Sequence, residues 1–238
     1  MLLFYAPDIL QSSELPEQES QHCIRVLRKQ TGDMIDITDG KGCFYQARIE
    51  DAHSKHCKIN IITTIQARPS WKNWIEIAIA PTKNMERIEW FAEKAVEIGI
   101  NKITFLKTRF SERKELKTDR IQKILISAMK QSEKAVLPEL QAMTDFKQLM
   151  KQPFDGQKLI AHCYPGEKNL LSKAYQSNQN VLILIGPEGD FSREEVDSAL
   201  SNSFQSISLG ESRLRTETAA LTACQTIHIV NQMKEMKK

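Results

Sequence analysis

With 238 residues, 41% of them hydrophobic and 26% charged, the chain can fill one large core or two modest ones, and no uninterrupted apolar run reaches the roughly 20 residues that span a bilayer. Its cysteines, Cys23, Cys43, Cys57, Cys163 and Cys224, are scattered without a Cys-x-x-Cys pair, which argues against a disulfide framework and against a zinc ribbon. A net charge of +3 is too small to mark a nucleic-acid binder by itself, so any such role must rest on where the charges lie.

The first residues, Met1-Leu-Leu-Phe-Tyr5, lack the basic flank and small-residue cleavage site of a signal peptide, and a cytoplasmic location is expected. Glu17 to Lys29 reads as helix from the three-to-four spacing of Cys23, Ile24 and Leu27. The rest of the first seventy residues reads as short strands. Met34 to Thr38 and Cys43 to Ile49 flank the turn Asp39-Gly-Lys-Gly42, and Lys58 to Thr63 adds another β-branched stretch. A small β-barrel is the economical outcome, because closure removes the edges that separate strands expose. His53-x-x-His56-Cys57 lies in a polar stretch between strands and reads as a loop, so no metal is expected. Residues 1–70 hold eight basic and nine acidic groups, yet Arg25, Arg28 and Lys29 bunch together.

Ala67-Arg-Pro-Ser-Trp-Lys-Asn73 suits a linker between modules 1–70 and 74–238, and beyond it the period changes. Strand candidates Ile75 to Ala80, Lys102 to Lys107, Lys158 to Cys163, Val181 to Ile185 and Gln205 to Leu209 alternate with helical stretches, which predicts a largely parallel sheet covered on both faces. The helix after the first of these strands carries Ile88, Phe91, Ala95 and Ile98 on one stripe and ends at Gly99. Residues 107–123 hold seven basic and three acidic side chains, a solvated helix face or a grip for RNA. Ser192-Arg-Glu-Glu195 is a capping box that opens another helix. The last helix starts near Thr216, with Ala220, Ala223, Cys224, Ile227, Val230 and Met233 on one face. Small residues early on that face permit close backbone approach, in a core or against a partner.

Val181-Leu-Ile-Leu-Ile185 runs into Gly186-Pro-Glu-Gly-Asp-Phe-Ser192, and Ile207-Ser-Leu-Gly210 runs into Glu211-Ser-Arg-Leu-Arg-Thr-Glu-Thr218. Loops after consecutive strands are expected side by side at the carboxyl edge of the sheet, where open α/β folds bind ligands. Neither has a Walker lysine or a Gly-x-Gly-x-x-Gly run, so an adenosine ligand without phosphates fits better than ATP or NAD. Ile185, Gly186, Gly189, Leu209, Gly210 and Leu214 are the candidate contacts, with His162 as a third wall. Each glycine also serves as a tight βα turn, a lone histidine is more often structural, and Arg215-Thr-Glu-Thr218 also reads as helix initiation.

Gly186-Pro-Glu-Gly189, Leu209-Gly210 and Leu214-Arg-Thr-Glu-Thr-Ala219 closely resemble the S-adenosylmethionine-binding loops of the RsmE family, SPOUT-class enzymes that methylate nitrogen 3 of a uridine in small-subunit ribosomal RNA. The likeness extends to His22-x-x-x-Val26-Leu-Arg28 with Gly32-Asp33, to Asp39-Gly-Lys-Gly42, to Lys94-Ala-Val-Glu-Ile-Gly99, and to Gln131-Ser132 before Pro138, so it covers the whole chain. Asp190, where a second glycine is common, and Ser212, where a basic residue is common, depart from the pattern.

The resemblance implies an α/β chain with an N-terminal PUA-like β-barrel and a C-terminal SPOUT domain tied in a trefoil knot. It implies S-adenosylmethionine as cofactor, a homodimer, and 16S ribosomal RNA of the assembled small subunit as partner, with no metal. Methylating a uracil ring nitrogen requires loss of its proton, for which Glu217 is the candidate base; alternatively Glu217 holds Arg215, which binds the charge spreading onto the uracil oxygens. Arg25 and Arg28, with Arg109, Arg113 and Lys114, are expected to grip phosphates from both modules. The rival readings are a SPOUT enzyme acting on transfer RNA or a ribose hydroxyl, and a nonenzymatic RNA-binding assembly factor.

Overall fold

The computed structural model describes residues 2–68 and 71–236, so Pro69 and Ser70 of the expected linker lie outside the described residues. The chain divides into two compact units, Met1–Ser70 with Leu125–Leu137, and Trp71–Ile124 with Pro138–Lys238. Modules read as 1–70 and 74–238 do not set Leu125–Leu137 apart. Its place in the first unit follows from backbone bonding: Leu137 N donates to Gly40 O at 2.8 Å and Gly42 N to Ala135 O at 2.9 Å.

The first unit contains β1 (Leu3–Tyr5), α1 (Ile9–Ser12), α2 (Glu17–Gln21), a π-helical turn (His22–Val26), β2 (Met34–Thr38), β3 (Cys43–Asp51) and β4 (Lys58–Gln66). Its sheet runs β1-β2-β3-β4, with β1 parallel to β2 and the other pairs antiparallel. Alternation sends Tyr45, Ala47 and Ile49 of β3 inward to Phe4, Ile9, Ile37 and Cys57 while Gln46 and Arg48 face water. The expected barrel thus takes the form of a four-stranded sheet, with residues 13–15 bonded along the outer edge of β4: Leu15 N donates to Cys57 O at 2.9 Å and Ile59 N to Ser13 O at 3.0 Å. The helix read over Glu17 to Lys29 is interrupted. Leu27 N bonds to His22 O, an i to i+5 closure whose extra residue rotates the end of the segment, so that Arg25, Val26 and Arg28 all face solvent.

The second unit contains β5 (Ile75–Ile79), α3 (Met85–Ile98), β6 (Lys102–Lys107), α4 (Asp119–Gln131, whose last residues fall in the first unit), β7 (Glu139–Asp145), α5 (Phe146–Leu149), β8 (Gln157–Ala161), β9 (Asn169–Leu170), α6 (Leu171–Ala174), β10 (Val181–Ile185), α7 (Arg193–Ser201), β11 (Gln205–Ser208) and α8 (Thr216–Glu235). Seven parallel strands are ordered β7-β6-β5-β10-β8-β11-β9. Every residue of β5 and of β10 is buried, as a strand covered on both faces requires. β10 enters between β5 and β8, and β11 between β8 and β9. The loops after β10 and β11 are therefore not the immediate neighbours that their nearness in sequence suggests; the loop after β8 stands between them.

α8 buries Ala220, Ala223, Cys224 and Ile227, as its pattern predicts, and packs against α3, α6, β5 and β10. Two turns later the buried positions go to His228 and Asn231, while Val230 is half-buried and Met233 is 56% exposed. Hydrogen bonding explains the change of face. His228 Nε2 lies 2.7 Å from the Gly99 carbonyl that ends α3, and Asn231 bridges Asn73 Oδ1 and Asn178 N. Among the described residues, no helix is long and apolar enough to cross a membrane.

Candidate active site

Three loops at the carboxyl ends of β8, β10 and β11 enclose a cavity of about 740 Å³. Of the expected contacts, His162, Ile185, Gly186, Leu209, Gly210 and Leu214 line it, and Gly189 does not. Gly186 is held to a bare backbone by its own loop, because an added Cβ would stand 3.1 Å from the Phe191 ring. Gly189 instead faces Phe110, whose Cβ would lie 3.2 Å from a side chain placed there. Gly210 has open space around it, but its φ of +124° is one that L side chains rarely adopt.

Asp190 has φ +65°, the left-handed conformation that suits glycine and that Asp adopts more readily than most residues. Its carboxylate gives the position a second task. Oδ2 accepts from Cys163 N at 2.8 Å and Oδ1 from Phe191 N at 2.8 Å, which ties the loop after β10 to the loop after β8. α7 then starts with the predicted capping box: Ser192 Oγ accepts from Glu195 N, and Glu195 Oε2 accepts from Ser192 N.

His162 is half-buried, with Nε2 2.9 Å from Ser206 Oγ on β11 and Nδ1 buried without a hydrogen-bond partner. Burial holds its pKa below the usual 6.5; the Lys168 charge adds to the effect and Asp190 opposes it. Lys168 Nζ donates to the carbonyls of His162 and Tyr164, both at 2.7 Å, so the ammonium is fixed in the wall.

Arg215 is the N-cap of α8, exposed and lining the cavity. Glu217, two residues on, turns the other way and is 6% exposed. Its Oε1 lies 3.9 Å from Arg87 Nε on α3, and its Oε2 is buried without a hydrogen-bond partner. Arg87 also lines the cavity and was missed in the sequence. Its one signal is a place in the first turn of the helix after β5, the strand next to β10.

The basic candidates fall in both units. In the first, Arg25 Nη2 donates to Ser54 Oγ at 3.3 Å, and Arg28 is exposed with φ +55°. In the second, Arg109 pairs with Glu194 at 3.1 Å, Arg113 Nη2 donates to Lys83 O at 2.9 Å, and Lys114 is exposed. His53 and His56 stack ring on ring at 5.5 Å, and among the described residues no group of three or more His, Cys, Asp or Glu is placed to hold a metal ion.

Residues 69–228 match a family described as an RNA methyltransferase domain, and residues 15–62 one described as an RNA methyltransferase PUA domain. A structure from Porphyromonas gingivalis, described as a probable rRNA-methyltransferase, is 46% identical and superposes with a TM-score of 0.94 over 98% of this chain and 100% of that one. A methyltransferase structure from Legionella pneumophila with bound cofactor SAM is 28% identical, with a TM-score of 0.85 over 96% and 97% of the two chains. The ribosomal RNA small subunit methyltransferase E of Mesomycoplasma hyopneumoniae is 35% identical over 176 residues, 70% of this chain and 76% of that one. The expected fold class is thereby met: a small N-terminal PUA domain followed by a parallel-sheet α/β domain.

Proposed function

We propose, since the chain belongs to the ribosomal RNA small subunit methyltransferase E family, that it transfers a methyl group from S-adenosylmethionine to N3 of a uridine in 16S ribosomal RNA. The observation that carries this reading is the cavity itself. Its size lies within the roughly 300–1,000 Å³ of small-molecule sites. Ile185, Leu209 and Leu214 give an apolar slot for adenine, with bare glycine backbone at Gly186 and Gly210 along the same wall. Nothing in the cavity loops is a phosphate cradle, and the Legionella protein of the same fold carries bound SAM.

Bound there, S-adenosylmethionine supplies an electrophilic methyl on a sulfonium, so that an N–C bond forms as the S–C bond breaks with its electrons left on sulfur. The residues of this chain have two tasks beyond binding. One is to take the N3 proton, without which the imide nitrogen has no free pair to attack. The other is to hold the charge that then spreads onto the uracil oxygens. Arg215, at the cavity wall, suits the second. Glu217, with a buried and unpartnered Oε2 in the first turn of α8, is the candidate for the first, and to reach the imide it would have to turn from Arg87 toward the cavity.

The reading extends to a cytoplasmic homodimer that modifies the assembled small subunit. Residues 1–70 hold RNA through Arg25 and Arg28, and residues 74–238 carry the chemistry and a second grip through Arg109, Arg113 and Lys114. Light scattering at micromolar concentration should then report about twice the 27.3 kDa chain mass. The deciding experiment is a nucleoside digest of 16S ribosomal RNA from a strain lacking the gene. N3-methyluridine should be absent there and return when the purified protein and S-adenosylmethionine are added to the strain's small subunits. A ribose-methylated product, or methylation of transfer RNA alone, would overturn the assigned acceptor.

A further inference from the structure

The loop after β6 begins with a turn closed by its own hydroxyls. Thr108 N donates to Ser111 Oγ at 3.0 Å, the two hydroxyl oxygens are 3.0 Å apart, and both residues are buried. Between them Arg109 N donates to Glu195 Oε1 at 2.8 Å, and two residues beyond Ser111 the Arg113 guanidinium bonds to Lys83 O. The backbone is thus fastened on both sides of Phe110. Its ring nevertheless stands 45% exposed.

A single exposed apolar side chain is ordinary. The position of this one is not. Phe110 rests against Gly189, in the loop whose Gly186, Pro187, Glu188 and Asp190 line the cavity. The Arg109 guanidinium lies 5.6 Å from the ring centroid. Of the cations nearby, Arg109 is paired with Glu194 and Lys83 with Glu112. Arg113 and Lys114 still offer RNA a Coulombic hold, one made on phosphates whatever base they carry. An aromatic face gives a different one, because every base has an apolar face to lay against it whatever the sequence.

We propose that Phe110 is a stacking platform for an unpaired base of the RNA substrate, set beside the cavity so that a neighbouring nucleotide is aimed into it. The inference rests on the reading of that cavity as the site of methyl transfer to ribosomal RNA. Phe110 positions substrate and takes no part in the chemistry.

The test compares Phe110→Ala, Phe110→Leu and Phe110→Trp. Steady-state methylation is followed on small subunits from a strain lacking the modification, with cofactor affinity by calorimetry and mass by light scattering. Phe110→Ala should raise KM for the subunits about tenfold, within the range that loss of one base–aromatic stack produces, and leave kcat within about twofold. Phe110→Trp should restore KM, and Phe110→Leu should resemble alanine. A leucine variant equal to the unaltered protein would show apolar packing in place of stacking. Weakened S-adenosylmethionine binding would make the ring a prop for the Gly189 loop, and a halved mass would make it a contact between copies; either overturns the proposal, as does an unchanged KM in all three variants. An unaltered protein that methylates no ribosomal RNA would overturn the function, and this inference with it, before any variant is read.

Discussion

Arg87 Nε lies 3.9 Å from Glu217 Oε1, joining the first turn of α3 to the first turn of α8 across 130 residues of sequence. The carboxylate is 8% exposed and the guanidinium 36%, so the pair is only partly screened by water. Removing the cation leaves a buried charge facing the apolar side of α8. Arg87→Ala should therefore cost about 1–2 kcal/mol, less than a fully buried pair because Arg87 reaches solvent, and lower the melting temperature by several degrees. Glu217→Gln should leave stability nearly unchanged, because the neutral amide needs no cation. If Glu217 is the base, single-turnover methylation by this variant falls sharply, and the loss shrinks as rising pH removes the imide proton in solution. Full activity at neutral pH would reduce Glu217 to a structural partner of Arg87.

Arg215 has no side-chain bond at the N-cap it occupies, which leaves its guanidinium available to the cavity. Arg215→Ala should cut single-turnover methylation on saturating RNA by at least about 10²-fold, the loss typical of one oxyanion donor, with S-adenosylmethionine affinity little changed. Arg215→Lys should recover only part, since a point charge cannot reproduce a planar fork. A variant that binds cofactor poorly and turns over normally would move Arg215 from charge stabilisation to cofactor binding.

Asp190 combines a left-handed backbone with a hydrogen bond to Cys163 N in the next loop. Asp190→Ala loses the acceptor and puts a less tolerant residue at φ +65°; Asp190→Gly loses only the acceptor. Alanine should weaken cofactor binding by about tenfold, and glycine should recover part of it, as the backbone term returns while the cross-loop bond does not. Equal affinities in the two variants would show that the left-handed backbone contributes nothing.

His162 titrates below 6.5 in the folded protein, with burial the main cause. The unfolded chain then holds more protons than the folded one as the pH drops beneath that value, so stability falls with falling pH. The contribution is complete above 6.5 and is lost as pH moves down toward the folded-state pKa. Urea unfolding at a series of pH values between about 7.5 and about 5 should show this slope, and His162→Gln should flatten it. An unchanged slope would place the proton uptake elsewhere.

Much of the second unit could be read from periodicity, because strands buried on both faces, such as Val181-Leu-Ile-Leu-Ile185, write themselves as apolar runs, and caps such as Ser192 and Gly99 are local chemistry. Short edge strands left no such signal: Leu3–Tyr5 and Asn169–Leu170 are held by their neighbours and not by their own pattern. The π-helical turn at His22–Val26 was hidden for a related reason, since its residue types would suit an unbroken helix equally well. At the cavity, Gly186, Leu209, Gly210 and Leu214 were legible from the loops they sit in, while Gly189, read the same way, faces Phe110 instead. Arg87 was not, because nothing on α3 signals that α8 will pack beside it. The inward turn of Glu217 was equally invisible, since a helix start reads the same whichever way its second residue faces.

The place of β10 between β5 and β8 has a consequence for how the protein is made. Val181 pairs with Ile75 on one side and with Gln157 on the other, so the centre of the sheet closes around a strand that leaves the ribosome last of the three. Contacts of such long sequence separation form slowly. A nascent chain that stops short of residue 181 presents two naked inner edges, rich in isoleucine and leucine, to whatever lies nearby. The floor of the cavity is thus a late product of synthesis. During the interval before β10 arrives, the chain is most exposed to aggregation and has the greatest need of a chaperone.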